Sequence, residues 1–365
     1  MMEMRKQTPD LVFFGIGGNE MKNAGVEVRY HIDHMGVVGL VEAVRHLPFV
    51  RRVLNDVHRL MKERRPDLVI VIDYPGFNLR LARMASRMAI PVLYYIAPQV
   101  WAWGGRRIKT IARFVNKVAV ILPFERDLYR QAGIDVEFVG HPLLEQVDCA
   151  LGRDTFFRQC GLSASRPLLG LLPGSRGTEV RRLLPVMLKT SDIMRKHVTD
   201  LQIVVAPAST ADVRHIESGI RKHAPTVSVI RGSTREVMKY ADLLLIASGT
   251  ATLEAACYGT PSLILYKVGL LTWLVARLLV KVPHIGLVNI IAGREIVPEF
   301  IQFDATPSNV VSEALILLKD AERRQETRSL MADVREKLGT KGASAKAARI
   351  ALDMVMSSPL HERKR

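Results

Sequence analysis

The sequence predicts two doubly wound α/β domains, each a parallel sheet covered by helices on both faces. Three observations carry this expectation. Short, continuously apolar runs recur along the chain, amphipathic stretches of helical length separate several of them, and the series stops once and then resumes. A strand that is apolar at every position has both faces buried, as in a parallel sheet held between helix layers. With 365 residues there is material for two such cores.

In the first series, "LVFFGI" (11–16), "DLVIVID" (67–73), "PVLYYIA" (91–97), "KVAVIL" (117–122) and "VEFVG" (136–140) read as buried strands, with helical patterns at 40–64 and 78–89. After "GHPLLEQVD" (140–148) the rhythm gives way to the polar "GRDTFFRQCGLSASRP". The expected division is therefore 1–148, 149–340, and a C-terminal helix with a basic tail at 341–365, where "HERKR" reads as frayed. The second series is "PLLGLLPG" (167–174), "LQIVVAP" (201–207), "VSVI" (227–230), "LLLIAS" (243–248) and "PSLILY" (261–266).

Composition narrows the function. Lys plus Arg total 52 against 36 acids, a net charge of +16, which suits nucleic acid, an anionic membrane face or phosphorylated substrates. Nucleic acid is disfavoured: there is no zinc-finger spacing, and aromatic residues for base stacking make up only 6%. Cys149, Cys160 and Cys257 lie far apart without a CxxC pair, as expected of a reduced cytosolic protein. No secretory h-region is read near the start. The longest apolar stretch, "VGLLTWLVARLLVKV" (268–282), is interrupted by Arg277 and Lys281, too short to span a bilayer but suited to lie on one.

Doubly wound sheets bind ligands beyond the carboxyl ends of their strands. Four places qualify. In "ASGTATLEAACYGTP" (247–261) a strand ends at Ser248, Gly249 permits close backbone approach, Thr250 and Thr252 supply hydroxyls, and a helix begins, directing its free N–H groups at an anion. Glu254 follows one turn on, where a carboxylate can take both hydroxyls of a ribose. Ordinary helix capping also accounts for the Ser and Thr. In "LLPGSRGTEVRRLLP" (171–185) Arg176 leaves a second strand end, suited to bidentate contact with a diphosphate. In "DLVIVIDYPGFNLRLA" (67–82) Asp73 closes a strand of the first domain, partly buried and able to act as a general base, or else pairing with Arg80. In "IAPQVWAWGGRRIKTIARFVNK" (96–117) Trp101 and Trp103 stand beside Arg106, Arg107, Lys109 and Arg113, a combination for sugars, phosphates or a membrane interface, or simply a core with a solvated basic face. Two signals are weak: in "GIGGNEM" Glu20 occupies the third glycine place of GxGxxG, and His31 and His34 lack metal-ligand spacing.

"VIDYPGFNLRLA", "APQVWAW", "LPFERDLYRQAGIDVEFVGHPL", "LLPGSRGTEVRRLLP", "ASGTATLEAACYGTP" and "VKVPHIGLVNIIAGREIVPE", in this order, resemble the lipid-A-disaccharide synthase family, glycosyltransferases of lipopolysaccharide assembly, over about residues 10–310. The resemblance implies a GT-B architecture, two Rossmann-like domains facing across a cleft. It implies transfer of 2,3-diacylglucosamine from UDP to the 6-hydroxyl of 2,3-diacylglucosamine 1-phosphate (lipid X), with inversion, giving a β-1,6 disaccharide and UDP. Asp73 is then the base, Arg176 and Ser248–Thr252 meet the charge on UDP, Glu254 holds the ribose, and Asn289 is a further donor-site member. No Asp-x-Asp pair closes a strand, so metal independence and no cofactor are expected. A peripheral place on the cytoplasmic face of the inner membrane is expected, with Leu270, Leu271, Trp273 and Leu274 beside basic residues as the docking segment, although a core helix would carry the same pattern. A homodimer is left open.

The sequence also departs from the family pattern. A Gly-Glu-x-Ser-Gly-Asp loop that members carry ahead of the "GIGG" segment is absent, so the first strand and part of the acceptor cleft are expected to be missing. Gly76 stands where many members have an acid, and Val288 where a proline is usual. The rivals are another GT-B enzyme such as a UDP-sugar epimerase, or a shortened, inactive UDP- or membrane-binding form.

Overall fold

The computed structural model describes residues 1–35, 40–102, 104–208, 216–217, 219–220, 226–279 and 282–357. Trp103, Lys281 and the basic tail weighed above lie outside the described residues. Contacts divide the chain into two compact units, Met1–Pro142 with Thr340–Arg365, and Leu143–Gly339. The helix Ala343–Met356, expected to stand apart, is part of the first unit. Its Ala343, Ala348, Ile350, Ala351 and Leu352 share a core cluster with Met4, Leu93, Ala119 and Val139.

The first unit contains β1 (Phe14–Gly17), β2 (Glu27–His31), β3 (Val69–Ile72), β4 (Val92–Tyr95), β5 (Lys117–Val120) and β6 (Val136–Phe138). Every pairing is parallel, but the strands form two sheets, β1-β2 and β3-β4-β5-β6. Burial follows position. The interior strands β4 and β5 are almost wholly buried, whereas β1 and β3, both edge strands, are only partly covered. "LVFFGI" and "DLVIVID" were expected to be fully buried, and instead Ile72 is 43% exposed. β2 has no apolar run to announce it, since Glu27, Arg29 and His31 alternate with Val28 and Tyr30. Its Glu27 carboxylate accepts two hydrogen bonds from Arg64, at 2.6 and 3.2 Å, at the end of the Leu40–Arg64 helix.

The second unit is a six-stranded parallel sheet in the order β12-β11-β10-β7-β8-β9. The strands are β7 (Leu168–Leu172), β8 (Gln202–Val205), β9 (Ser228–Val229), β10 (Leu243–Ala247), β11 (Ser262–Tyr266) and β12 (Glu299–Ile301). Here the continuous apolar runs behave as expected: every residue of β7 and β10 is buried. Each fully buried leucine among them contributes about 2 kcal/mol. From β7 the chain winds outward through β8 to β9, then returns to β10 on the other side of β7 and winds outward again. The strand order therefore reverses between β7 and β10, and that switch point is where such sheets bind ligands.

Candidate functional site

β7 and β10 pair directly, Leu169 opposite Leu243 through Leu172 opposite Ile246, so the two anion-suited loops leave adjacent strands. They also touch. A Cβ added to Gly174 would lie 3.3 Å from the Ala247 Cβ and 2.7 Å from Glu179 Oε2, and Gly174 has φ +105°. Both the close approach and the backbone angle require glycine there. Gly249, the residue before the Thr250–Tyr258 helix, has φ 155° and ψ −161°, a region populated essentially by glycine alone. Its missing Cβ would meet nothing within 4 Å, so it faces open space ahead of the helix. The Thr252 amide is taken by the Gly249 carbonyl at 3.1 Å. By helix geometry the Thr250 and Ala251 amides point outward at the positive end of the dipole. Such an arrangement suits an anion.

The hydroxyls are used differently from expectation. Thr252 is 1% exposed and donates to the Gly249 carbonyl at 2.8 Å, stiffening the turn from inside. Ser248 donates to the Ile285 carbonyl at 3.0 Å. Of the expected hydroxyls, only that of Thr250 is exposed.

Arg176 precedes the Gly177–Arg195 helix, where Glu179 accepts its backbone N–H at 3.4 Å and its guanidinium at 3.3 Å. The Arg176 side chain is 70% exposed. A surface ion pair of this kind is worth about 0–1 kcal/mol, so the guanidinium can turn to a phosphate with little loss. Tyr266, at the end of β11, joins this neighbourhood. Burial raises its hydroxyl pKa, Glu179 adds to the rise, and Arg176 opposes it. Glu254 pairs with Arg235 at 3.6 Å and its side chain is 18% exposed. Burial raises the Glu254 carboxyl above its usual range, with Arg235 pulling it back.

Asn289 requires a correction. It is fully buried, its amide nitrogen donates to the Val297 carbonyl and to Glu299, and its amide oxygen accepts from Ile296 and Val297. No hydrogen-bonding capacity remains for a donor sugar, so its part is to hold the 285–299 segment.

In the first unit, Asp73 and Tyr74 follow β3 with φ of 46° and 42°. Two successive non-glycine residues in the left-handed region cost roughly 1–3 kcal/mol each and persist only where the surroundings hold them. Asn78 Nδ2 donates to the carbonyls of Ile72 at 2.9 Å and Asp73 at 2.7 Å, and the Tyr94 hydroxyl donates to the Asp73 carbonyl at 2.8 Å. The Asp73 N–H reaches the carbonyls of Tyr95 at 3.3 Å and Ile96 at 3.2 Å. Asp73 is exposed, not partly buried as expected, because β3 is an edge strand. Among the described residues its carboxylate makes no ion pair, with Arg80 or any other base.

The Leu270–Leu279 helix is not a core helix. Leu270, Leu271, Leu274, Val275 and Leu278 are all substantially exposed, Leu271 at 76% and Leu278 at 84%. Trp273 packs edge-on against Phe303 at 5.2 Å, with the Arg277 guanidinium 5.4 Å from its ring. No helix among the described residues is long and apolar enough to cross a membrane.

Several partners escaped the reading of the sequence. Glu179 was within reach of it, three residues after Arg176 at capping-box spacing. Arg235, Tyr266 and Tyr94 carry no local signal, because they reach the site from other elements, whereas Asn78 lies five residues after Asp73 in the same stretch.

A doubly wound domain with two anion-suited loops at its switch point, paired in the chain with a second Rossmann-like domain, is the arrangement of the GT-B class. Solved structures agree. CalG4, a calicheamicin glycosyltransferase, superposes with TM-score 0.62 at 15% identity, covering 98% of this chain and 94% of that one. UDP-GlcNAc 2-epimerase from Neisseria meningitidis, bound to UDP-GlcNAc, gives 0.59 at 14% identity over 92% and 87%. At such identities the likeness shows the fold alone. The sequence comparisons go further: the lipid-A-disaccharide synthetase family model matches residues 1–354. The lipid-A-disaccharide synthase of Syntrophus aciditrophicus is 46% identical over 356 residues, 97% of this chain and 93% of the relative. That of Geobacter sulfurreducens is 42% identical over 353 residues, 97% and 92%. The chain belongs to the lipid-A-disaccharide synthase family and is a glycosyltransferase.

Proposed function

We propose that the second domain holds UDP-2,3-diacylglucosamine and that Asp73 of the first acts on the acceptor. The diphosphate rests on the Thr250 and Ala251 amides with Arg176 swung over from Glu179, and Glu254 takes the ribose hydroxyls. Asp73 accepts the proton of the 6-hydroxyl of 2,3-diacylglucosamine 1-phosphate as that oxygen attacks the anomeric carbon. The new carbon–oxygen bond forms on the face opposite the breaking bond to UDP, so the configuration inverts. The electron pair of the broken bond leaves on the UDP phosphate, where the helix amides and the Arg176 guanidinium, once turned from Glu179, meet the developing charge. The observation that supports this reading best is the departure of two anion-suited loops from adjacent strands β7 and β10, at the reversal of strand order.

The exposed apolar face of the Leu270–Leu279 helix, on a chain of net charge +16, supports docking on an anionic membrane surface where the diacylated substrates reside. Calorimetry with UDP, and turnover with both lipid substrates before and after Asp73→Asn, test the proposal. UDP binding retained by Asp73→Asn, with turnover reduced by about 10²–10⁴-fold, is the expected outcome. Near-normal turnover removes the base assignment. UDP release that needs no acceptor points instead to another UDP-sugar enzyme.

A further inference from the structure

Glu125 is a buried acid that the mechanism above does not use. It lies on the Pro123–Gln131 helix, at the third helical position, and makes the glutamate half of a capping box by accepting the Leu122 N–H at 3.3 Å. A glutamate in that role is ordinarily a surface residue, and an amide would cap as well. Here Glu125 is 1% exposed. Its other oxygen accepts the Trp101 indole N–H at 3.0 Å, and the Trp101 ring packs edge-on against Phe124 at 5.3 Å. One turn along the same helix, the Tyr129 hydroxyl donates to the Pro98 carbonyl at 2.8 Å. The helix thus grips the segment 96–102 at two points. That segment begins at Ile96, whose carbonyl receives the Asp73 N–H at 3.2 Å, and Ile96 itself has φ 55°. Hydrogen bonds therefore anchor the 96–102 segment to Glu125 and Tyr129 on one side and to the Asp73 backbone on the other, and the covalent chain of the segment joins these points.

We propose that Glu125 is a positioning residue for glycosyl transfer: its carboxylate, by holding the Trp101 indole, fixes the 96–102 segment and through it the orientation of Asp73. This rests on the reading of Asp73 as the base. The surroundings of Glu125 favour the ionised form by hydrogen bonding alone, since the Trp101, Leu122 and Ile121 N–H groups are all donors. A protonated Glu125 keeps one full acceptor oxygen and carries an O–H on the other, so it holds the Trp101 and Leu122 donors less well and loosens the segment. Burial opposes the charge and pushes the carboxyl up to about 7. The titratable groups that face it, Tyr129 on its own helix and beyond it Tyr94 on β4, are both raised by burial and stay protonated. The neighbouring Arg126 and Asp127 are solvent-exposed and lie 3.7 Å from one another. The segment is therefore held firmly above neutrality and released below it.

The test compares Glu125→Gln, Glu125→Ala, Trp101→Phe and the double variant Glu125→Ala/Trp101→Phe in turnover with both lipid substrates. Glu125→Ala and Trp101→Phe should each lower kcat by about tenfold or more, with KM for the UDP-sugar unchanged, because a small misplacement of a reacting group is enough. The double variant should be no worse than the poorer single one. Glu125→Gln, which keeps one acceptor oxygen, should recover part of kcat and lose the fall in activity on the acid side of about pH 7. Independently of activity, Trp101 emission in a Trp103→Phe/Trp273→Phe background should titrate near pH 7 and become flat when Glu125→Gln is added. Additive losses, losses that merely track the folded fraction, or Trp101 emission insensitive to pH would overturn the proposal. An Asp73→Asn enzyme of near-normal turnover defeats the base reading instead, leaving the emission titration and the double variant to report whether Glu125 holds the segment.

Discussion

Asn289 and Glu299 are joined by a 2.8 Å hydrogen bond, and the pair connects the interior of the second domain to the turn at Ser248. Glu299 also accepts the N–H groups of Ile285 and Gly286, both at 2.9 Å, and the Ile285 carbonyl receives the Ser248 hydroxyl at 3.0 Å. Asn289 is therefore linked to Ser248 through Glu299 and Ile285. Asn289→Ala leaves the Ile296 and Val297 N–H groups and the Val297 carbonyl without a partner in a buried place. We expect it to lower stability by at least about 3 kcal/mol, since each such orphan costs roughly 1–3 kcal/mol. Chemical denaturation checks this. A variant as stable as the parent that has lost UDP affinity would return Asn289 to the ligand.

Arg176→Ala should give the opposite phenotype. Its partner Glu179 is retained and the side chain is 70% exposed, so stability should change by no more than about 0.5 kcal/mol. UDP affinity should fall by about 10–100-fold, the loss of one or two hydrogen bonds to a charged group. Arg176→Lys should recover only part of it, because an ammonium cannot bridge two phosphate oxygens as a planar fork can. Calorimetry with UDP and thermal unfolding on the same samples separate the two effects.

Glu254 should be read through the sugar of the nucleotide. With Arg235 at 3.6 Å on one oxygen, the carboxylate is oriented before UDP arrives. The parent should therefore prefer UDP to 2′-deoxy-UDP, and Glu254→Gln should bind the two alike while keeping diphosphate affinity. A preference for UDP that survives the substitution would place the ribose elsewhere.

The second domain was legible in the sequence because its strands are covered on both faces. "LLLIAS" and "PLLGLLP" are apolar at consecutive positions, and the loops that follow carry the glycines their backbone angles require. The first domain was less so. β2 alternates polar and apolar residues, and β3 carries an apolar run although it is an edge strand. Pattern reports hydrophobicity, whereas exposure depends on which strand lies alongside, and that is set by residues remote in sequence. The same limit separates Asn289 from Arg176. Arg176 was picked out at a strand end and Asn289 through the family resemblance, but only the fold reveals that Asn289 points inward to four hydrogen bonds and Arg176 outward to solvent.

The Leu270–Leu279 helix allows a prediction that leaves the fold untouched. Leu271 and Leu278 are 76% and 84% exposed, so Leu271→Asp and Leu278→Asp remove little packing and stability should hold within about 0.5 kcal/mol. If this face meets the membrane, flotation with vesicles rich in anionic phospholipid should fall sharply in the double variant, and turnover on a soluble short-chain substrate should persist. Unchanged flotation would assign membrane contact to another surface.

Two buried groups of the first domain give acid stability a specific shape. Burial pushes Glu125 up to about 7 and His141 down to about 4. For Glu125 the folded value lies above the unfolded one, near 4.5, so its contribution is fully present below about 4.5 and is lost as pH rises to about 7. For His141 the folded value lies below the unfolded one, near 6.5, so its contribution is present above about 6.5 and is lost as pH falls to about 4. Each amounts to something on the order of 3 kcal/mol at 1.36 kcal/mol per pH unit. Between about pH 4.5 and 6.5 the folded chain holds a proton on Glu125 that the unfolded chain lacks, and lacks one on His141 that the unfolded chain holds, so the slopes oppose and stability should be nearly flat. Glu125→Gln removes one slope and exposes the other. As pH is lowered through that interval its stability should fall steadily while the parent's does not, and the further change His141→Gln should restore the plateau. Urea midpoints at successive pH values measure this directly, and a Glu125→Gln curve parallel to the parent's would mean that the two groups do not oppose one another as their burial requires.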